Sequence, residues 1–270
     1  GSPDPAEQKQ NKGKRGIASA GCLPDVLSAL GDSIFMRAAR FDRELVRQKD
    51  DVAHLWSSVG FLDDSWWHRT YWQFGTFMGS GWGNWPKAGQ QVPAGRLLVI
   101  DGSRVFGFGR NQYDIPGAHV GVDAAEVWGP IGKEQGRWTF YRLFAQTLDA
   151  RPADASHRSP KSPTANRPDW TYRIPVLARA MVLAGQTLFV AGPADKLSEA
   201  PYSPTTVDPL SESLEATRGG RLLVVSATDG KPLADLELPS PPVFDGMAAA
   251  QGRLYVSTKI GRVLCLAPVR

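Results

Sequence analysis

The densest chemistry in this chain lies at Asp63-Asp64-Ser65-Trp66-Trp67-His68-Arg69-Thr70-Tyr71-Trp72. Two carboxylates, an imidazole and a guanidinium set among aromatic rings can hydrogen-bond and stack a polar ligand. On a strand successive side chains point to opposite faces. Trp66, His68, Thr70 and Trp72 would then share one face, and Trp67, Arg69 and Tyr71 the other. Asp63, Asp64 and His68 are also metal-ligand types, but no further ligands stand at an identifiable spacing, so no metal is expected. Plain packing is the competing account: one aromatic set lies between sheets, and the aspartate pair caps a turn. A second cluster follows at Gly79-Ser80-Gly81-Trp82-Gly83-Asn84-Trp85-Pro86. Its tryptophans, carried on a glycine-rich loop, could stack on sugar rings or a flat cofactor, or could plug one end of the fold. Gly79-Ser80-Gly81 lacks the third glycine and the strand-to-helix setting of a dinucleotide fingerprint. The candidate ligand-binding set is therefore Asp63, Asp64, Trp67, His68, Arg69, Tyr71, Trp82 and Trp85.

The remaining reactive residues assemble into nothing comparable. His119 and His157 lie in loop-like sequence and His54 precedes Leu55-Trp56. Neither a Ser-His-Asp order nor an HExxH motif can be built around them, so no catalytic residue is assigned. Asp245, before Gly246, fits a turn and could also line an inner channel. Cys22 and Cys265 are too far apart for a metal knuckle or a redox CxxC pair. They could close one disulfide in an exported ring-shaped fold, or remain two separate thiols.

The elements that must position these residues read as short strands. Gly252-Arg253-Leu254-Tyr255-Val256-Ser257-Thr258 is β-rich; Ile260-Gly261 makes a turn and Arg262-Val263-Leu264-Cys265-Leu266 returns. Gly220 to Ser226 is a similar run that reaches Asp229-Gly230, a strong hairpin signal. Gly95 to Ile100 leads to Asp101-Gly102, Gly185 to Gly192 is a further copy, and Leu30 to Arg37 a weaker one. Small-residue runs, Met181 to Ala184 and Met247 to Ala250, precede two of the copies and suit a crowded inner strand. Regularly spaced short strands with glycine turns point to an all-β sandwich, barrel or propeller, and the repetition favours a β-propeller of about four to six blades. It would be a complete small ring or part of a larger one. A single small sheet cannot cover both of its faces; radial stacking buries them and leaves only short edges.

Residues 1–20 are lysine-rich and without periodicity, and are expected to form a disordered leader. Residues 21–270 are read as one propeller domain carrying two long loop insertions, 150–170 and 193–219. The chain of 270 residues is 42% hydrophobic and 21% charged, enough apolar material for a substantial core. Of nine tryptophans, six fall between Trp56 and Trp85, which concentrates the aromatic character near the candidate site. The net charge of +4 owes much to Lys9, Lys12, Lys14 and Arg15. No basic helix, zinc finger or RNA-binding signature follows them, so nucleic acid is not an expected partner. No apolar run approaches the roughly 18 residues of a membrane span. No signal peptide opens the chain, but Gly1-Ser2 has the look of a cloning scar, which leaves its natural start open.

The stretch from Gly220 to Leu266, GRLLVVSATDGKPLADLELPSPPVFDGMAAAQGRLYVSTKIGRVLCL, resembles the repeats of pyrroloquinoline-quinone-like (quinoprotein-like) β-propeller proteins. Ser226-Ala227-Thr228-Asp229-Gly230-Lys231 stands where that family has its D-x-x-T-G-K turn. Phe61 to Gly75, FLDDSWWHRTYWQFG, is similar to a block of large planctomycete-type members. The likeness covers the last third of the chain and residues 54–108. It implies a propeller and an extracytoplasmic location, with the chain either closed by its region before Gly21 or forming the C-terminal part of a longer parent. It also implies a last blade ending after its third strand at Leu266. The quinoprotein dehydrogenases of this group are larger rings with a vicinal cysteine bridge, a calcium site and a catalytic aspartate. This chain has no adjacent cysteines, no recognisable calcium motif and no regular tryptophan docking pattern, so neither cofactor nor catalysis carries over.

The expectation is a non-catalytic binding or scaffold module of a secreted or periplasmic protein. Its partner would be a protein, a small molecule or a carbohydrate, or the remainder of its parent chain, and it needs no cofactor. The alternative is a quinone-dependent or carbohydrate-acting oxidoreductase domain using pyrroloquinoline quinone with calcium and a carboxylate such as Asp63 or Asp64 as general base.

Overall fold

The computed structural model describes residues 27–36, 39–49, 52–57, 72–75, 92–109, 142–148, 168–195 and 215–268. Every element among them is a strand, and the strands form five small antiparallel sheets. The chain is all-β. Within each sheet the strands follow one another in chain order, so every strand pairs with its neighbour in the chain. The strands divide between two compact units.

The first unit holds two sheets. One runs β1 (Leu27–Leu30), β2 (Ser33–Met36), β3 (Ala39–Phe41) and β4 (Arg47–Gln48). Its first hairpin pairs Leu30 with Ser33 across Gly31-Asp32. The other runs β5 (His54–Ser57), β6 (Trp72–Gly75) and β7 (Ala94–Gly95). Strand β1 lies beside β5, and the Ser28 hydroxyl donates to the Leu55 carbonyl.

The second unit holds three sheets. They are β8 (Leu97–Asp101) to β11 (Trp170–Tyr172), with β9 (Arg104–Gly109) and β10 (Arg142–Thr147) between; β12 (Ala180–Ala184), β13 (Thr187–Gly192), β14 (Gly220–Ser226) and β15 (Pro232–Leu238); and β16 (Pro242–Ala250), β17 (Arg253–Thr258) and β18 (Val263–Leu266). The first strands of these sheets neighbour one another: β12 lies beside β8 on one side and β16 on the other. The two small-residue runs, Met181 to Ala184 and Met247 to Ala250, are parts of first strands β12 and β16. They occupy equivalent positions, although Ala248, Ala249 and Ala250 are exposed rather than crowded.

The glycine-led copies are not equivalent. Gly185 and Gly252 sit in turns that lead into the second strands β13 and β17, Gly220 opens the third strand β14, and Gly95 ends β7, ahead of first strand β8. The shared pattern marks a hairpin arm. It does not mark a position in the sheet, because any tight antiparallel turn makes the same demand for positive φ. Gly102 (φ 52°), Gly185 (φ 59°) and Gly252 (φ 70°) all occupy that region.

The cores explain the strand sequences. One cluster joins the first two sheets of this unit through Phe106, Phe108, Leu143, Trp170, Leu188, Val190, Leu223 and Val225. A second joins the second and third sheets through Ala191, Leu222, Leu238, Leu254 and Val256. Alternate residues of β13 and β14 therefore enter different cores, which is why these strands read as nearly unbroken apolar runs. Strand β17 is covered on one face and alternates: Leu254, Val256 and Thr258 are buried while Arg253 is exposed and Tyr255 and Ser257 half-buried. Trp170, the last residue of the stretch expected to be a loop, instead opens β11 and is buried in the first core.

Candidate functional site

Strand β6 is the anchor of the aromatic block. Asp63, Asp64, Trp67, His68, Arg69 and Tyr71 belong to the connection between β5 and β6, and Trp82 and Trp85 to the connection between β6 and β7. All eight lie outside the described residues. Residues 58–71 enter β6 at Trp72 and residues 76–91 leave it at Gly75. The two connections thus join opposite ends of a four-residue strand, and those ends lie about 10 Å apart at a rise of roughly 3.3 Å per residue.

Between those ends lies a residue that sequence reasoning passed over. Gln73 is 1% exposed, and its Oε1 has no hydrogen-bond partner among the described residues. The signal was available: one amide among the aromatics of Trp72-Gln73-Phe74. Gln73 pairs with Trp56 and Ala94 while His54 pairs with Gly75. Gln73, Ala94 and His54 therefore share one sheet face. His54 is buried, and its ring stacks on Phe35 at 3.9 Å and 11°. Its Nδ1 lies 2.6 Å from the Val52 carbonyl oxygen. A carbonyl can only accept, so Nδ1 carries a proton and donates. On the facing sheet Ser33, also buried, accepts from Arg40 Nε at 2.9 Å. The two sheets of this unit therefore meet through the Phe35–His54 stack and the Ser28–Leu55 hydrogen bond.

A second structured cluster lies in the other unit, where the edge strand β11 meets the β14–β15 turn. Trp170 donates its indole N–H to the Ala227 carbonyl at 3.2 Å and sits tilted against Phe106 and Tyr172, with centroids at 6.3 and 5.9 Å. Gly230, with φ 74°, lies so close that a Cβ there would come within 2.6–2.7 Å of the Tyr172 and Trp170 rings. The adjoining Asp229 is held well below the usual carboxylate range, at about 2, chiefly by its hydrogen bond to Lys231. The same contact, 2.9 Å long, raises the Lys231 ammonium above its ordinary value. Behind the tryptophan, Thr147 donates to Asp169 at 2.8 Å and Arg104 lies 3.4 Å from the same carboxylate. These contacts fasten β9, β10 and β11 together.

Asp245 occupies the left-handed region (φ 56°) at the irregularity of β16, and its amide donates to the Arg179 carbonyl at 2.8 Å. Its backbone ties β16 to the lead-in of β12. Cys265 is a free, exposed thiol on β18, while Cys22, His119 and His157 lie outside the described residues. Among the described residues no three His, Cys, Asp or Glu side chains converge as metal ligands, and no helix is long and apolar enough to cross a membrane. No protein-family model and no curated protein matches this chain.

Proposed function

We propose that the sheets are blades of a β-propeller of the quinoprotein-like kind, acting as a non-catalytic binding or scaffold module outside the cytoplasm. One observation carries the architecture: first strands of successive sheets lie side by side, β1 with β5 and β8 with β12 and β16, while each sheet runs outward in chain order. Sheets joined at their first strands and stacked face to face through apolar cores pack radially. Trp170 supports the same arrangement, since the outer strand of one sheet docks on the outer turn of the next.

The binding role rests on the aromatic block 61–85. A four-residue strand presents two tryptophan-rich connections, one from each end, and connections on a rigid scaffold are where recognition residues concentrate. Trp67, Tyr71, Trp82 and Trp85 would stack a ligand while Asp63, Asp64, His68 and Arg69 hydrogen-bond it. Tryptophan and arginine are also the commonest anchors of protein interfaces. Glycan and protein arrays probed with the full chain would identify partners, and each hit would be titrated against Trp67→Ala, Arg69→Ala and Trp82→Ala. We expect at least tenfold weaker binding for each variant. Unchanged affinity in all three would remove the block from the site. Incubation with pyrroloquinoline quinone and calcium tests the enzymatic alternative; a bound chromophore with dye reduction would replace the scaffold reading.

A further inference from the structure

We infer that the end of the β6–β7 ribbon in the first unit is a subsite for a small hydroxylated oxyanion, held between the guanidinium of Arg96 and the amide oxygen of Gln73. Two unmet polar atoms carry the inference. Arg96 Nε is buried and makes no hydrogen bond among the described residues. Gln73 Oε1 is likewise without a partner there, on a side chain 1% exposed. The first is a donor and the second an acceptor, and a buried polar atom left unpaired bears the full desolvation of its group.

The backbone brings the two together. Gln73 pairs with Ala94, and the Phe74 amide donates to the Pro93 carbonyl at 2.9 Å, which holds the ribbon in register. Residues two apart on a strand return to the same face, so Arg96, two after Ala94, comes back to the side of Gln73. Diagonal neighbours of this kind lie about 7–8 Å apart. The two groups do not bond each other, since each is unmet, and a span of this size admits one small molecule between them.

Charge selects the molecule. A guanidinium stays protonated in proteins, and a charge withdrawn from water needs a counter-charge. Among the described residues Arg43, Arg104 and Arg221 find theirs in Asp32, Asp169 and Asp235. Arg104 is the instructive comparison: its Nε is also unmet, yet its Nη2 lies 3.4 Å from Asp169. No carboxylate among the described residues pairs with Arg96. An anionic oxygen therefore answers Arg96, and the same molecule must carry a hydroxyl that donates to Gln73 Oε1. α-Hydroxycarboxylates and hydrogen phosphate share that chemistry. A plain carboxylate meets half of it, and a water molecule brings no charge. The inference does not rest on ligand binding by the 61–85 block.

The test titrates the full chain with glycolate, inorganic phosphate and acetate at neutral pH and constant ionic strength, following the backbone amide shifts of β6 and β7. Glycolate, phosphate or both should saturate, and acetate, which has no hydroxyl, should bind about tenfold more weakly or worse. Saturation by glycolate alone identifies a hydroxycarboxylate as the source, and saturation by phosphate alone a phosphate. Gln73→Met, which keeps the volume and removes the acceptor, should bring the hydroxylated anion down to the acetate level, and Arg96→Met should abolish binding of all three. Should Q73M not fold, the wild-type contrast with acetate decides alone. Equal affinity for all three anions, no saturable shift with any of them, or wild-type affinity in R96M would overturn the proposal.

Discussion

At the scale of single residues, the turn at Thr228-Asp229-Gly230 shows how backbone conformation and packing constrain one position together. Gly230 combines positive φ with contact against two aromatic rings, so neither relaxing the backbone nor moving the rings is free. Gly230→Ala should cost about 2–6 kcal/mol, since strain at such a position and overpacking each contribute about 1–3; urea denaturation measures it. Beside it, Asp229 and Lys231 make a pH-dependent pair. The Asp229 pKa is lowered to about 2, so its contribution to stability is present above the unfolded carboxylate value near 3.9 and is lost as pH falls through about 2. The Lys231 pKa is raised, so its contribution is full below the unfolded lysine value near 10.4 and is lost as pH rises through the folded one. Carbon-detected NMR titration should place the Asp229 midpoint near 2 and return it toward the ordinary value in Lys231→Met. Both groups are solvent-facing, so the effect on global stability is expected to be small.

At the scale of elements, β13 and β14 are buried on both faces while their neighbour β15 is mostly exposed, and the sheet β16–β18 is covered on one face. Leu188, fully buried in the first core, should cost about 2–5 kcal/mol when cut to Ala. Val263, 66% exposed on β18, should change stability by less than about 0.5 kcal/mol when replaced by Thr. Guanidinium midpoints distinguish the two. This contrast also sets what the sequence could reveal. Hairpins were legible, because Gly102, Gly185 and Gly252 supply the positive φ that tight turns require. Two first strands, β12 and β16, carry the small-residue runs Met181 to Ala184 and Met247 to Ala250, but the alanines of β16 are exposed, so crowding does not account for them. The rank of each hairpin within its sheet was not, because Gly95, Gly185 and Gly220 open similar apolar runs at different ranks. Trp170 was hidden at the end of a proline-serine stretch whose composition argued for a loop. Gln73 showed locally only as one amide among the aromatics of Trp72-Gln73-Phe74, and its burial depends on residues distant in the chain. The aromatic block was conspicuous in composition, and its eight candidate residues lie outside the described residues.

At the scale of the whole molecule, among the described residues both hydrophobic clusters lie in the second unit, while the first shows a stacked Phe35–His54 pair and polar contacts. Amides in β13 and β14, flanked by strands on both edges and by apolar cores on both faces, should be the slowest to exchange with deuterated water. Those of β3 and β4 should exchange among the fastest, since β4 spans only Arg47–Gln48 at a sheet edge. Hydrogen exchange followed by mass spectrometry would reveal that order, and equal protection across the strands would count against separate stabilities for the two units.

The chain-order layout of the sheets has a consequence for synthesis. A growing polypeptide can complete each sheet before the next begins, so no strand must wait for a distant partner to pair. The sheet β12–β15 is the exception in its covering rather than its pairing. Its Leu223 and Val225 side finds residues already made, whereas its Ala191, Leu222 and Leu238 side stays bare until Leu254 and Val256 leave the ribosome. A pause or stop between Pro239 and Arg253 would release a finished sheet with one greasy face. Nascent chains arrested there should be captured by chaperones or pelleted, and those arrested after Leu266 should stay in solution.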